Sequence, residues 1–186
     1  MIFGVDPGLA NVGWCLLNHG ALTYGHIETA KGDQTGDAAK RLAEVMYGLS
    51  AGLKLLAACP ADLARVVIEW PGGGFGGPGK RCPACGKPPG NPLTGAQVAT
   101  TAGAVYGAAY WLLRGKVDRI LTPAPVSWRV ALGKKWGVPA SEESIHAVIL
   151  ERFPQLSKLK KKSQPHILDA VGLCLYGELS AKGPRP

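Results

Sequence analysis

Two acidic residues stand directly after short apolar runs of the chain. Asp6 follows the run Met-Ile-Phe-Gly-Val and precedes Pro-Gly, and Glu69 follows Arg-Val-Val-Ile and precedes Trp-Pro. An apolar, β-branched run closed by such residues is typical of a buried strand that ends in a tight turn. Because an ionised carboxylate at such a position is costly unless a positive group binds it, we expect both acids to serve a bound cation.

A third acid, Asp169, lies in an apolar helical stretch near the C-terminus, three residues after His166. Residues three apart share one face of a helix, so the two side chains face the same way. Carboxylates with few neutral donors select hard cations such as Mg²⁺ or Mn²⁺. Two such ions about 4 Å apart can activate water and stabilise the leaving oxygen in phosphodiester cleavage. The three acids therefore predict a shared divalent-metal site.

The order of predicted elements determines whether these residues can meet. Hydrophobic patterning predicts strands over 2–6, 13–17, 21–28, 66–69 and 120–122, and helices over 37–59, 94–113, 125–132, 141–153 and 165–179. A meander followed by helical crossovers predicts an α/β fold, a five-stranded mixed sheet with helices on both faces. If the first and fourth strands are parallel neighbours, Asp6 and Glu69 end at the same edge, and a right-handed crossover permits that arrangement.

Length and composition bound the class of protein. The chain has 186 residues, of which 46% are hydrophobic and 18% charged, so we expect a single globular domain over 1–186 with a Gly/Pro/Cys-rich loop insertion at about 71–92. No apolar stretch approaches the roughly 20 residues that span a bilayer. The N-terminal run has no basic region before it, which is unlike a signal peptide, and we expect a cytoplasmic protein. Five cysteines are an odd number and argue against a disulfide framework.

The net charge of +8 favours a polyanionic partner, and nucleic acid is the usual one. The basic residues cluster near the acids, and we expect several of them to bind DNA: Arg129, Lys134, Lys135, Lys160, Lys161 and Lys162. A site that repels phosphate needs such cations to hold its substrate. The alternative is a solvated basic surface that keeps the protein soluble, and for Arg129 the two interpretations stay open.

The glycine-rich segment after Glu69 contains two further pairs of candidate functional residues. Trp70 and Phe75 could stack on unpaired bases, or both rings could be buried by a folded-back loop. Cys82 and Cys85 form a Cys-x-x-Cys pair, half of a zinc knuckle. A closed Zn²⁺ site needs four ligands, which a two-fold dimer could supply on its axis. Otherwise the pair is an unmetallated tight turn.

The motifs around the acids together resemble the RuvC Holliday-junction resolvases. The resemblance rests on Gly4-Val5-Asp6-Pro7-Gly8 with Gly13 after it, on Ile68-Glu69, and on His166-Ile-Leu-Asp169-Ala170. It covers nearly the whole chain in element order. Divergent resolvases of this type occur in bacteriophages, so the setting that it suggests is a bacterial or phage-infected bacterial cell.

The resemblance implies a ribonuclease-H-like fold, a homodimer, and Mg²⁺-dependent paired nicking of four-way branched DNA. Carried over by position, it makes Asp6, Glu69, His166 and Asp169 the metal-binding catalytic set. The chain departs from the family pattern after Glu69, where Trp70 follows at once and the Cys-containing insertion replaces a short loop that holds a stacking aromatic residue.

Other functions remain open at this point. A nuclease of the same fold could cut RNA or an RNA–DNA hybrid, because the metal chemistry is the same. A non-catalytic branched-DNA-binding protein would bind junctions tightly without metal-dependent cleavage. An ATP-binding protein of the actin and sugar-kinase type needs a second such domain, for which this chain is too short.

Overall fold

The computed structural model describes residues 1–7, 11–28, 38–57, 65–70, 103–104, 106–107 and 119–181. The predictions for Phe75, Cys82 and Cys85, and for the loop insertion at about 71–92, lie outside the described residues. So does most of the helix predicted over 94–113, of which the four described residues are helical.

The strands form one five-stranded sheet in the order β3-β2-β1-β4-β5. Their bounds are β1 Ile2–Pro7, β2 Asn11–Asn18, β3 Ala21–Glu28, β4 Arg65–Ile68 and β5 Arg119–Leu121. The first three strands are antiparallel, while β4 pairs parallel with both β1 and β5. The mixed sheet and the parallel pairing of the first and fourth strands are both confirmed.

The described helices are α1 Ala38–Ala57, α2 Pro125–Trp136, α3 Glu142–Arg152 and α4 Gln164–Ala181, with a 3₁₀ helix at Pro154–Lys158. Ser141 caps α3, since its hydroxyl accepts a hydrogen bond from the backbone N–H of Ser144. The prediction that α2 ends at Leu132 was wrong. The helix continues one more turn until Gly137 adopts a left-handed conformation and closes it. No helix in the described part of the chain is long and apolar enough to cross a membrane.

Each face of the sheet is covered by its own apolar core. Alternate residues of a strand point to opposite faces, so Phe3 and Val5 pack with Val45 and Leu49 on the side of α1. Ile2 belongs to the opposite core, which the helices α2, α3 and α4 complete. Helices on both faces of the sheet were predicted, and this is confirmed.

Helix α4 packs against β1 and β2 at very short range. Gly4 and Gly13 permit this, because a β-carbon at Gly4 would overlap the carbonyl oxygen of Ala170, and one at Gly13 would overlap that of His166. The backbone of α4 therefore rests directly on the backbone of the sheet. This contact fixes the height at which His166 and Asp169 stand beside the strand ends.

Candidate metal centre

Asp6 and Glu69 lie side by side at one edge of the sheet. Val5 is the register partner of Ile68 in the parallel pair of β1 and β4, and the backbone N–H of Glu69 donates to the carbonyl of Val5 at 2.9 Å. Each acid therefore follows a paired, fully buried residue. The two carboxylates are held at adjacent strand ends, as the pattern of apolar runs predicted.

His166 reaches this edge from the first turns of α4. Its Nδ1 and the Oδ2 of Asp6 are hydrogen-bonded at 3.1 Å. That bond raises the pKa of His166 above its ordinary value. Burial raises the pKa of Asp6, and the hydrogen bond to His166 offsets only part of that rise. The ring of His166 also stacks on His26 of β3, with 5.7 Å between the ring centroids.

The carboxylate of Glu69 is held by a buried tryptophan. The indole Nε1–H of Trp128 donates to Oε2 of Glu69 at 2.8 Å. Burial and the neighbouring Asp6 carboxylate nevertheless raise the pKa of Glu69 from 4.5 to about 8. A carboxylate in this position favours a proton or a bound cation.

Asp169 is the buried charged residue of the described chain, and the side chains of His146 and Arg129 contact its carboxylate. Its Oδ1 is 2.9 Å from Nε2 of His146 and 3.2 Å from Nη2 of Arg129, whose nitrogen is also 3.3 Å from Oδ2. The same guanidinium contacts Glu142 at 3.4 Å. Arg129, expected to bind DNA, therefore lies between two carboxylates.

Glu142 and His146 were missed by sequence reasoning. The two residues are four apart on α3 and share one face, and with Asp169 they bring one ligand atom each within 4.8 Å of one another. The Glu-x-x-x-His spacing was the available signal. It could be connected to Asp169 only once the packing of α3 on α4 was known.

The donors present fit a hard divalent cation. The carboxylates of both Asp6 and Asp169 raise the pKa of Glu69, while the ligand atoms of Asp169 that approach others within 4.8 Å among the described residues do so with Glu142 and His146. Among the described residues, Glu69 Oε1 has no hydrogen-bond partner, while Oε2 is bound by Trp128. Oxygen donors with one imidazole suit Mg²⁺ or Mn²⁺.

The described residues that were predicted to bind DNA differ in their exposure to solvent. Trp70 is 38% exposed, and its backbone N–H donates to the carbonyl of Pro123 at 3.0 Å. Lys134, Lys135, Lys160 and Lys161 are exposed. Lys162 is also exposed, and its ammonium group forms an ion pair with Glu28.

Neither a protein-family model nor a curated protein matches the chain by sequence. Several solved structures match it in three dimensions, and two of them are of RuvC from the bacterium Thermus thermophilus. RuvC in complex with a Holliday junction substrate has 16% sequence identity and a TM-score of 0.63, over 97% of this chain and 94% of that chain. The RuvC structure has 19% identity and a TM-score of 0.60, over 97% and 95%.

The fold is RuvC-like. This confirms the ribonuclease-H-like architecture that the sequence motifs led us to expect. At these levels of identity the likeness concerns the fold, and the roles of the individual side chains must be argued from their own geometry.

Proposed function

We propose that this protein is a metal-dependent, structure-selective DNA endonuclease that resolves four-way junctions by paired phosphodiester cleavage. The observation that carries the proposal is the position of Asp6 and Glu69 at adjacent strand ends, with Asp169 in electrostatic reach from α4. A RuvC-like fold supports it, since one matching RuvC structure holds a Holliday junction substrate.

Asp6, Glu69, Asp169 and His166 would hold Mg²⁺ or Mn²⁺. Bound there, the ions would activate water and stabilise the leaving oxygen. The side chains have separate tasks. His166 orients Asp6 through its hydrogen bond, and the buried strands hold Asp6 and Glu69 at one edge. Helix α4 brings Asp169 to the same edge.

Substrate binding would rest on the basic residues outside this centre. The exposed lysines at 134, 135, 160 and 161 would contact phosphates, which gives affinity without sequence preference. Trp70 is exposed beside Glu69 and would stack on an unpaired base, a role for which Phe75 is the other candidate. The whole chain would act as a single nuclease domain.

A first experiment tests the chemistry. The purified protein is incubated with a synthetic four-way junction in Mg²⁺, and separately in EDTA. A linear duplex with the sequence of two arms controls for structure selectivity, and Asp6→Asn controls for a contaminating nuclease. We expect the unaltered protein to cleave the junction in Mg²⁺. We expect no cleavage of the linear duplex, no cleavage in EDTA and no cleavage by Asp6→Asn.

Other outcomes have defined meanings. Cleavage of an RNA–DNA hybrid or of RNA, with the junction left intact, would show that the substrate is wrong while the metal chemistry is right. Tight junction binding without cleavage in Mg²⁺ or Mn²⁺ would identify a non-catalytic DNA-binding protein. Equal cleavage in EDTA would remove the metal from the mechanism.

Paired nicking requires two active sites, so we propose that the protein acts as a homodimer. A supercoiled plasmid with an extruded cruciform tests this directly, because two nicks within one binding event yield linear DNA, and independent nicks yield open circles first.

Metal analysis of the purified protein tests a separate proposal, a structural zinc site at Cys82 and Cys85. One zinc per two chains would support a site shared between the Cys82 and Cys85 pairs. Absence of zinc under reducing, chelator-free conditions would refute it.

A further inference from the structure

Trp128 has an unusual position for a core residue. Its side chain is fully buried in the core between the sheet and α4, yet its one polar atom points to the edge where the acids lie. There the indole N–H donates to Oε2 of Glu69 at 2.8 Å. A hydrogen bond from a buried donor to a carboxylate is charge-assisted and directional, so it fixes the orientation of the acceptor.

The ring itself has little freedom to move. A β-carbon at Gly172, three residues after Asp169 on α4, would approach the indole to 2.5 Å. The guanidinium of Arg129, which contacts Asp169, lies over the same ring at 5.0 Å from its centroid. The same indole therefore touches the helix that holds Asp169 and the carboxylate that extends from β4.

We propose that Trp128 is a positioning residue that sets which oxygen of Glu69 faces the bound cation. By holding Oε2, the indole directs Oε1 toward the space shared with Asp6 and Asp169, and Glu69 binds through that single oxygen. This inference rests on the proposed function, since it assigns Glu69 to a metal. Partners that orient a ligand in this way commonly contribute about 10–100-fold to metal affinity.

Filling the core is the alternative role for Trp128, and the chain offers a matched control. Trp136 lies on the same helix, and its buried Nε1 has no hydrogen-bond partner among the described residues. Its ring packs against the apolar core and under the guanidinium of Arg152. Trp136→Phe therefore removes an indole from α2 without removing a contact to an acid, while Trp128→Phe removes both.

The first experiment measures the Mg²⁺ concentration at half-maximal junction cleavage for both variants. We expect Trp128→Phe to require about 10–100-fold more Mg²⁺ than the unaltered protein. At saturating Mg²⁺ its rate should recover substantially, because the missing bond orients a ligand without reacting. Trp136→Phe should keep the original requirement. Equal requirements in the two variants would overturn the role of Trp128.

A second measurement uses the unaltered protein, so it does not depend on whether a variant folds. In ¹⁵N-labelled protein the indole N–H signal of Trp128 is assigned through its nuclear Overhauser contacts with Gly172, and Mg²⁺ is added. We expect this signal to shift as Glu69 takes up the cation, while the signal of Trp136 stays in place. A Trp128 signal that does not move at Mg²⁺ concentrations that saturate cleavage contradicts the inference.

The two proposals fail in distinguishable ways. If the unaltered protein cleaves junctions and the Trp128 signal is insensitive to Mg²⁺, the endonuclease stands and the positioning role is lost. If the signal responds to Mg²⁺ but no nucleic acid is cleaved, the link between Trp128 and the metal ligand stands and the proposed reaction is wrong.

Discussion

Replacing Glu69 by glutamine should stabilise the metal-free protein at alkaline pH. The pKa of Glu69 is raised from 4.5 to about 8, first by burial and then by Asp6, so between these values the folded chain holds a proton that the unfolded chain releases. Folding stability must therefore fall as the pH rises through this window. Glutamine does not ionise, and its amide oxygen can still accept the hydrogen bond of Trp128, so the loss should disappear.

The magnitude follows from the size of the shift. About 3.5 pKa units at 1.36 kcal/mol each come to about 5 kcal/mol, reached at and above pH 8. This is an upper limit, because the strand end is partly open to solvent and water screens the repulsion from Asp6, so we expect about 1–3 kcal/mol. Below pH 4.5, where the glutamic acid is protonated in both states, the variant and the unaltered protein should differ little.

Urea unfolding in EDTA at several pH values between 4.5 and 8.5 measures this difference. Glu151→Gln, a change at an exposed residue of α3, controls for the altered net charge. Adding Mg²⁺ at pH 8 should then stabilise the unaltered protein more than the Glu69→Gln variant. A stability difference that does not grow with pH would refute the argument that Glu69 is a desolvated carboxylate beside Asp6.

Three further predictions concern activity and binding. Asp6→Asn should reduce junction cleavage to background while leaving junction affinity nearly intact in a gel-shift assay, because the change removes negative charge that faces phosphate. His166→Asp should retain cleavage with an altered preference between Mg²⁺ and Mn²⁺, whereas full activity of His166→Ala would show that the ring has no role in the centre. Changing Lys160 and Lys161 to glutamine should lower the slope of log affinity against log salt by about 2. Lys162→Gln should change the slope less, because Lys162 already pairs with Glu28. An unchanged slope in all these variants would mean that the three lysines serve solubility and do not contact DNA.

The strands of the sheet and the positions of its acids could be predicted from the sequence, because local patterns determine them. Apolar runs predict the strands, and the parallel pairing of β1 with β4 places Asp6 beside Glu69. The spacing of His166 and Asp169 put both on one helix. The direct contact between His166 and Asp6 required the packing of α4 on the sheet, which two glycines permit and which no periodicity reveals.

The side chains that surround Asp169 and Glu69 could not be predicted in this way. The sequence left Arg129 open between a DNA contact and a surface cation, yet its guanidinium lies against Asp169 and Glu142. The contact of Trp128 with Glu69 could not be predicted either, since apolar patterning does not show where an indole N–H points. Such contacts join side chains from separate helices, and their partners follow from helix–helix packing, which short sequence patterns do not encode.

The backbone contact of α4 with the sheet has a consequence for how this protein tolerates mutation. Gly4 and Gly13 have no side chain that could take part in the chemistry, yet one methyl group at either would overlap the backbone of α4 and shift His166 and Asp169 away from Asp6 and Glu69. A saturation mutagenesis screen should therefore find these glycines as intolerant as the acids themselves. Lys134 and Trp70 are exposed, so their side chains could change without moving the acids at the sheet edge. Under the proposed function, the residues that contact the substrate could therefore diverge in evolution while the acids at the sheet edge stay in place.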